Sequence, residues 1–272
     1  MTTVDFDYVR AYIRHEAAIV VEPGKEYLVE SRLETLARKE NLPSLEELVA
    51  RLRANPKGEL WKKTLDAMTT NETSFFRDIH PFNALKTTIF PDLIKQRGTD
   101  RQLNFWCGAA STGQETFSVL MTIAESFPEL LSWKLSYLAT DLSLEVLARC
   151  KAGRFSQLEV NRGLPAPLLV KYFTRQGAEW EFREDLRKRV DFREMNLVKD
   201  WHHMPPLDVI FLRNVLIYFD VETKKAILAK VRQVLRPGGY LLLGGAETTM
   251  NLDDAFERVV VEKTTCFRVK SV

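Results

Sequence analysis

Cysteine is scarce in this 272-residue sequence: Cys107, Cys150 and Cys266 are the only three. An odd number of widely spaced thiols, with no Cys-x-x-Cys pair, argues against a disulfide scaffold. Histidine is scarce too, and of the four only His202 and His203 are adjacent, so no metal-ligand spacing exists and no metal is expected. No apolar run approaches the ~18 residues of a membrane span. The opening Met1-Thr-Thr-Val-Asp-Phe-Asp7 is acidic and has no apolar signal core, so a cytoplasmic protein without membrane insertion is expected. Excess charge of one sign is also missing: 39 Lys and Arg against 37 Asp and Glu leave a net charge of +2, which gives no reason to expect nucleic acid as a partner. What is present is an ordinary globular composition, 45% hydrophobic, in a chain long enough for one large domain or two smaller ones.

Up to about residue 76 the apolar residues recur at helical spacing: Phe6, Val9 and Ile13, then Leu28, Leu33 and Leu36, then Leu45, Leu48 and Leu52. Ser44-x-x-Glu47 reads as a capping box opening the third helix, and Asn55-Pro56-Lys57-Gly58 closes it. A further helix over 59–68 leads into a polar segment, and His80-Pro81 opens another. After Gly98 the rhythm changes to short apolar strands alternating with helices, the pattern of a mostly parallel sheet covered on both faces. Strands are predicted at 102–107, 134–140, 208–213 and 240–244, with helices near 113–126, 143–151 and 221–235. Arg236-Pro237-Gly238-Gly239 reads as a turn, and 258–262 with 266–270 as a closing antiparallel pair. Residues 180–195 alternate with period two on either side of a polar break, which predicts an inserted hairpin with its connection near Asp185 to Lys188.

The segment Leu103-Asn-Phe-Trp-Cys-Gly-Ala-Ala-Ser-Thr-Gly-Gln-Glu115 runs from an apolar strand through a small-residue turn into a helix start. Backbone without bulky side chains at such a switch can press against a nucleotide-like ligand. There is no strict Gly-x-Gly-x-x-Gly, however, and Thr112-x-x-Glu115 also fits a capping box in which Glu115 has no ligand role. Asp141, directly after the strand ending Ala139-Thr140, stands where nucleotide-binding sheets place an acid for ribose hydroxyls; as an alternative it caps the helix beginning at Ser143. Together these two stretches point to an adenosine-containing cofactor. Asn71, Thr73 and Arg77 surround the apolar pair Phe75-Phe76, which suits a cleft wall or a plain capping linker. Arg213-Asn214 closes a strand whose carboxyl end faces the expected crevice, and Tyr218 is either part of that crevice or a core aromatic. Lys25, Arg32, Arg38 and Lys39 are interleaved with Glu26, Glu30 and Glu34, a solvated face or a docking surface. Cys107, beside Trp106 on an apolar strand, reads as buried and inert.

Four blocks in combination resemble the chemotaxis receptor glutamate methyltransferases, the CheR-type family: Thr69-Thr-Asn-Glu-Thr-Ser-Phe-Phe-Arg77, Phe105-Trp-Cys-Gly-Ala-Ala-Ser-Thr-Gly-Gln-Glu115, Ala139-Thr-Asp-Leu142 and Asp208-Val-Ile-Phe-Leu-Arg-Asn-Val-Leu-Ile-Tyr-Phe-Asp220. The resemblance spans nearly the whole chain. It implies an α/β fold: a Rossmann-like methyltransferase sheet over 77–272, a small all-α N-terminal domain over 1–76, and an inserted antiparallel β-hairpin flap near 178–195. It implies S-adenosylmethionine as methyl donor, S-adenosylhomocysteine as product, and glutamate side chains of a chemoreceptor's cytoplasmic helical bundle as acceptors, methylated for sensory adaptation. Carried over by position, the resemblance puts Asn71, Thr73, Arg77, Glu115, Asp141, Asn196, Leu197, Asn214 and Val215 at the cofactor, with Arg77 and Tyr218 nearest the transferred methyl. The basic residues Lys25, Arg32 and Arg38 then gain a docking role toward a glutamate-rich receptor. Gln114-Glu115-Thr116 departs from the two acids and proline frequent in the family, but keeps Glu115. The short connection in the flap implies a member that does not depend on a receptor tail tether; a monomer is expected. Two other readings remain: a methyltransferase acting on another carboxylate, and a non-catalytic module that senses S-adenosylmethionine or its product.

Overall fold

The computed structural model describes residues 1–270, and these divide into two compact units, Met1–Thr70 with Tyr218–Thr223, and Asn71–Ile217 with Lys224 onward. The expected domain boundary at residue 76 therefore differs by a few residues: 71–76 pack with the sheet unit. The cause is visible in the side chains, since Phe75 and Phe76 are buried in the core of the sheet unit. Among the described residues no helix is long and apolar enough to cross a membrane.

The first unit has four helices, α1 (Thr3–Ala17), α2 (Glu26–Lys39), α3 (Leu45–Ala54) and α4 (Glu59–Met68). Their apolar stripes meet in one core containing Phe6, Val9, Ile13, Val29, Leu33, Leu48, Leu52 and Trp61. In α2 it is Val29, not Leu28, that is fully buried, one position along from the predicted stripe. Trp61 meets its polar need by donating Nε1–H to the Leu52 carbonyl at 3.0 Å. Ser44 caps α3 by accepting from the Glu47 amide at 3.3 Å, but Glu47 turns to Arg51 at 2.8 Å, so only half of the predicted box is used. Residues 218–223 join this unit through the Val20 amide, which donates to the Tyr218 carbonyl at 2.9 Å, and through Arg14, paired with Asp220 at 3.1 Å.

The second unit is built on ten strands: β1 (Gln102–Gly108), β2 (Lys134–Asp141), β3 (Arg154–Ser156), β4 (Phe173–Gln176), β5 (Glu179–Phe182), β6 (Val190–Glu194), β7 (Leu207–Leu212), β8 (Leu235–Leu243), β9 (Phe256–Val261) and β10 (Thr264–Val269). Seven form one sheet in the order β6-β2-β1-β7-β8-β10-β9, parallel through β8 and closed by the antiparallel β10 and β9. β1 and β7 are apolar along nearly their whole length because both faces are covered, as parallel central strands require. The chain moves outward from β1 to β2 and β6, then returns to β7 on the other side of β1. The carboxyl ends of β1 and β7 thus flank the topological switch point, where an open α/β sheet leaves a crevice. At the opposite end of β7, Asp208 is fully buried and neutralised by Arg97 at 2.9 Å and Arg236 at 3.1 Å.

An antiparallel insertion is present, but it is not the 180–195 hairpin. β4 and β5 form the hairpin around Gly177, and β3 pairs with the far side of β5. The polar break folds as a short helix, Glu184–Arg187, and 190–194 leaves the insertion to become β6, the parallel edge strand beside β2. A period-two alternation shows that a strand has two unlike faces and says nothing about which strand it pairs with.

Candidate active site

The loop after β1 is unusual in its backbone: Ala109, Ser111 and Gly113 have φ of 54°, 51° and 99°. Left-handed Ala and Ser are strained, and they persist only where surrounding bonds fix them. Here the Ala110 amide donates to the Thr140 carbonyl at 2.9 Å, and the Ser111 amide to Asp141 Oδ2 at 2.8 Å. On its other side the Ser111 hydroxyl donates to the Asn71 carbonyl at 2.8 Å. Gly113 must be glycine, since a Cβ would stand 2.6 Å from Cys150 Sγ at a positive φ. The helix Gln114–Ser126 starts from Gly113, and the Thr112 hydroxyl bonds Gln114 Oε1 at 2.7 Å, so the capping-box alternative for Glu115 is not what forms.

Glu115 instead points to Arg213, which follows β7 directly. The Arg213 side chain is 1% exposed. Besides Glu115, it donates to Asp78 Oδ2 at 2.8 Å and to the Arg77 carbonyl at 3.2 Å. One buried guanidinium therefore ties the strand end after β7, the helix after β1 and the 71–78 segment together. That segment is itself bent sharply, with φ of 47° at Phe76 and 55° at Asp78. Behind it, the Phe75 amide donates to the Arg162 carbonyl at 3.1 Å, and Gly163 leaves no room for a side chain, because a Cβ would stand 2.1 Å from the Phe75 carbonyl oxygen. The Arg77 guanidinium is half-buried and donates to the Glu72 carbonyl of its own loop at 3.2 Å. Asn71 and Thr73 are half-buried on the same segment.

Asp141 ends β2 and is 6% exposed. Its two oxygens accept from the Ser111 and Ser143 amides at 2.8 and 2.9 Å, while the helix cap is the Ser143 hydroxyl. Burial holds the Asp141 carboxyl above the ordinary aspartate range, against the pull of the backbone amides. The Met195 amide donates to the Asp141 carbonyl at 2.9 Å, so Asn196 and Leu197 arrive at this rim directly behind β6. A 180–195 hairpin would not have brought them there; the parallel edge strand does. Across the switch point Asn214 and Val215 follow Arg213, with Asn214 at φ 58° and both amides bound to Glu247, at 2.7 and 2.9 Å.

The carboxyl ends of β1, β2, β6 and β7 thus bring Glu115, Asp141, Asn196, Leu197, Asn214 and Val215 to one rim, together with the 71–78 segment. Tyr218 belongs to the helical unit and is half-buried there. Of the three residues expected to dock the receptor, Lys25 is exposed and paired with Glu22 at 3.2 Å, and Arg38 is exposed with Nε on the Glu34 carbonyl at 3.3 Å. Arg32 plays a structural part, donating to the Met68 and Thr69 carbonyls at 2.6 and 3.2 Å and to the Thr70 hydroxyl at 2.9 Å, and so capping the end of α4. Burial lowers its pKa accordingly. Cys107 is fully buried and its thiol is pushed far above its ordinary range, chiefly by desolvation, so it is inert as expected. Arg213 and Glu247 were not among the expected site residues. A lone Arg directly after the apolar run Val209–Leu212 was the available signal for the first; Glu247 follows Gly244-Gly245 without any pattern.

A mostly parallel sheet whose switch-point rim carries a buried acid, a strained small-residue turn and paired polar loops is a Rossmann-like α/β fold of the kind that receives a nucleotide-containing cofactor. Residues 71–265 match the CheR methyltransferase SAM binding domain, and residues 4–69 its all-alpha domain. Chemotaxis protein methyltransferase Cher2 of Pseudomonas putida is 40% identical over 260 residues, covering 94% of each chain, and chemotaxis protein methyltransferase 1 of Pseudomonas aeruginosa is 40% identical over 271 residues, covering 98% of each. A chemotaxis protein methyltransferase of Vibrio parahaemolyticus is 37% identical over 95% of this chain and 94% of its own. The chain belongs to the CheR methyltransferase family. Its cofactor is S-adenosylmethionine, and the rim suits it: each Asp141 oxygen carries one amide donor and keeps acceptor capacity that ribose hydroxyls can use.

Proposed function

We propose that this enzyme esterifies glutamate side chains of chemoreceptor cytoplasmic domains, with Asp141 on the ribose, Asn71, Thr73, Glu115, Asn196, Leu197, Asn214 and Val215 forming the remaining cofactor contacts, and Arg77 and Tyr218 beside the reacting carboxylate. The observation that carries this reading is the convergence of Glu115, Asp141 and the Arg77 segment on one rim through Ser111 and Arg213. The cofactor supplies an electrophilic methyl on a sulfonium. A glutamate with an ordinary pKa near ~4.3 is already an ionised nucleophile at neutral pH, so the site needs no general base. What falls to the protein is to strip water from the carboxylate and aim one oxygen. Arg77, a planar guanidinium on a loop pinned from two sides, orients that carboxylate, and Tyr218 hydrogen-bonds it. The exposed cations Lys25, just before α2, and Arg38, on it, attract the acidic receptor helices, and Arg32 contributes mainly by fixing α2 to the end of α4. The enzyme works as a cytoplasmic monomer. The two-residue turn at Gly177-Ala178 leaves little flap to grip a receptor tail, so methylation proceeds without a tether.

Incubation with methyl-labelled donor and membranes carrying candidate receptors tests this reading. Label released by mild base is expected, and Arg77→Ala should lower turnover by about a hundredfold. Label that resists base, or a variant as fast as the parent, would contradict it.

A further inference from the structure

Glu247 lies in the loop after β8 and gathers four backbone amides. Its Oε2 accepts from Asn214 at 2.7 Å and Gly244 at 2.6 Å, and its Oε1 from Val215 at 2.9 Å and Ile217 at 3.3 Å. A carboxylate has about four lone-pair sites, so this one has nothing left for a ligand. We propose that Glu247 is a positioning residue: resting on the methyltransferase reading above, it holds the Asn214–Val215 loop in the shape that receives the cofactor. Two further features belong to the same device. Asn214 sits at φ 58°, a left-handed conformation that asparagine accepts and that its amide bond to Glu247 fixes. Gly244 leaves no space for a side chain, because a Cβ would stand 2.7 Å from both Asn214 Nδ2 and Glu247 Oε2, and 2.9 Å from the Asn214 amide nitrogen.

Charge and length both matter here. A glutamine at 247 puts an NH2 against two backbone amides whichever way it flips, since each oxygen now serves two donors. An aspartate keeps the charge but falls one methylene short. The role is therefore distinct from that of Asp141, which acts on the ligand itself.

The test is calorimetric titration of S-adenosylhomocysteine into the full chain and its Glu247→Gln and Glu247→Asp variants, with amide hydrogen exchange of each. Glu247→Gln should weaken binding about ten- to hundredfold, Glu247→Asp by less, with protection lost at Asn214, Val215, Ile217 and Gly244 and kept across β1 and β7. Parental affinity in Glu247→Gln would overturn the proposal, as would an affinity loss accompanied by loss of protection throughout the sheet. If Glu247→Gln does not fold, Gly244→Ala carries the same expectation, because it displaces the same amides without touching the charge. Failure of the unaltered protein to bind S-adenosylhomocysteine would instead refute the methyltransferase reading, and the exchange pattern alone would then decide whether Glu247 holds this loop.

Discussion

Asp141 and Glu247 serve opposite sides of the switch point in similar ways: each is a carboxylate beyond one strand that fixes the loop of its neighbour. Asp141, at the end of β2, holds the loop after β1; Glu247, beyond β8, holds the loop after β7. They differ in what remains. Asp141 accepts from Ser111 and Ser143, one bond per oxygen, whereas Glu247 accepts four bonds and is full. Counting acceptors thus separates a side chain that can meet a ligand from one that can only shape the backbone around it. Arg213 links the two halves, running from the β7 loop to Glu115 on the helix that the β1 loop begins.

The largest effect should come from cutting that link. Arg213→Met leaves Glu115 without its charged partner and removes the bonds to Asp78 and the Arg77 carbonyl, and breaking a buried pair costs about 3–5 kcal/mol. The lower end applies because Asp78 is 56% exposed and water screens its share. Urea denaturation should show a loss of about 3 kcal/mol; a parental midpoint would mean that the two loops are fixed independently.

Asp141→Asn sharpens the comparison from the ligand side. Burial raises the Asp141 pKa above its ordinary 3.8, so the native state holds that proton more tightly than the unfolded chain does. Stability from this group therefore falls as pH rises from the unfolded value through the raised native value, and the ionised form sits at some cost to the free protein. If Asp141 binds the ribose as proposed, hydroxyls donating to the carboxylate offset that cost. Affinity for S-adenosylhomocysteine should accordingly weaken as pH drops through the raised pKa. In Asp141→Asn, binding at neutral pH should be about tenfold weaker and this pH dependence should vanish. Titrations from acidic to neutral pH check both, and a pH dependence that survives in the variant would assign it to another group.

The smallest effect lies outside both loops. Arg38→Glu on the exposed face of α2 should leave S-adenosylhomocysteine binding unchanged while slowing receptor methylation a few-fold and flattening its salt dependence. Initial rates across ionic strength decide it, and unchanged kinetics would remove α2 from docking. Arg32 is a poor probe for the same question, since its loss also uncaps α4.

Much of this was legible in the sequence because burial on two faces leaves a nearly continuous apolar run, and β1 and β7 show it plainly. The rim residues could be read for a related reason: a charged or small residue ending such a run has nowhere to go but the strand's carboxyl end. Other features depend on contacts distant in sequence, which local patterns do not encode. The partner of β6 is one, since alternation gives faces but no neighbour. Arg32 is another, placed on a basic helical stripe yet turned to the last carbonyls of α4. Glu247 is the clearest: its four donors come from two loops, and in sequence it is a lone acid among small residues.

Peptide mapping of a chemoreceptor after incubation with this protein and S-adenosylmethionine tests the account most directly. Methyl esters confined to glutamate side chains of the cytoplasmic helices are predicted, and absent with Arg77→Ala. A receptor that stays unmodified, or that carries its methyl groups on residues other than glutamate, would contradict it.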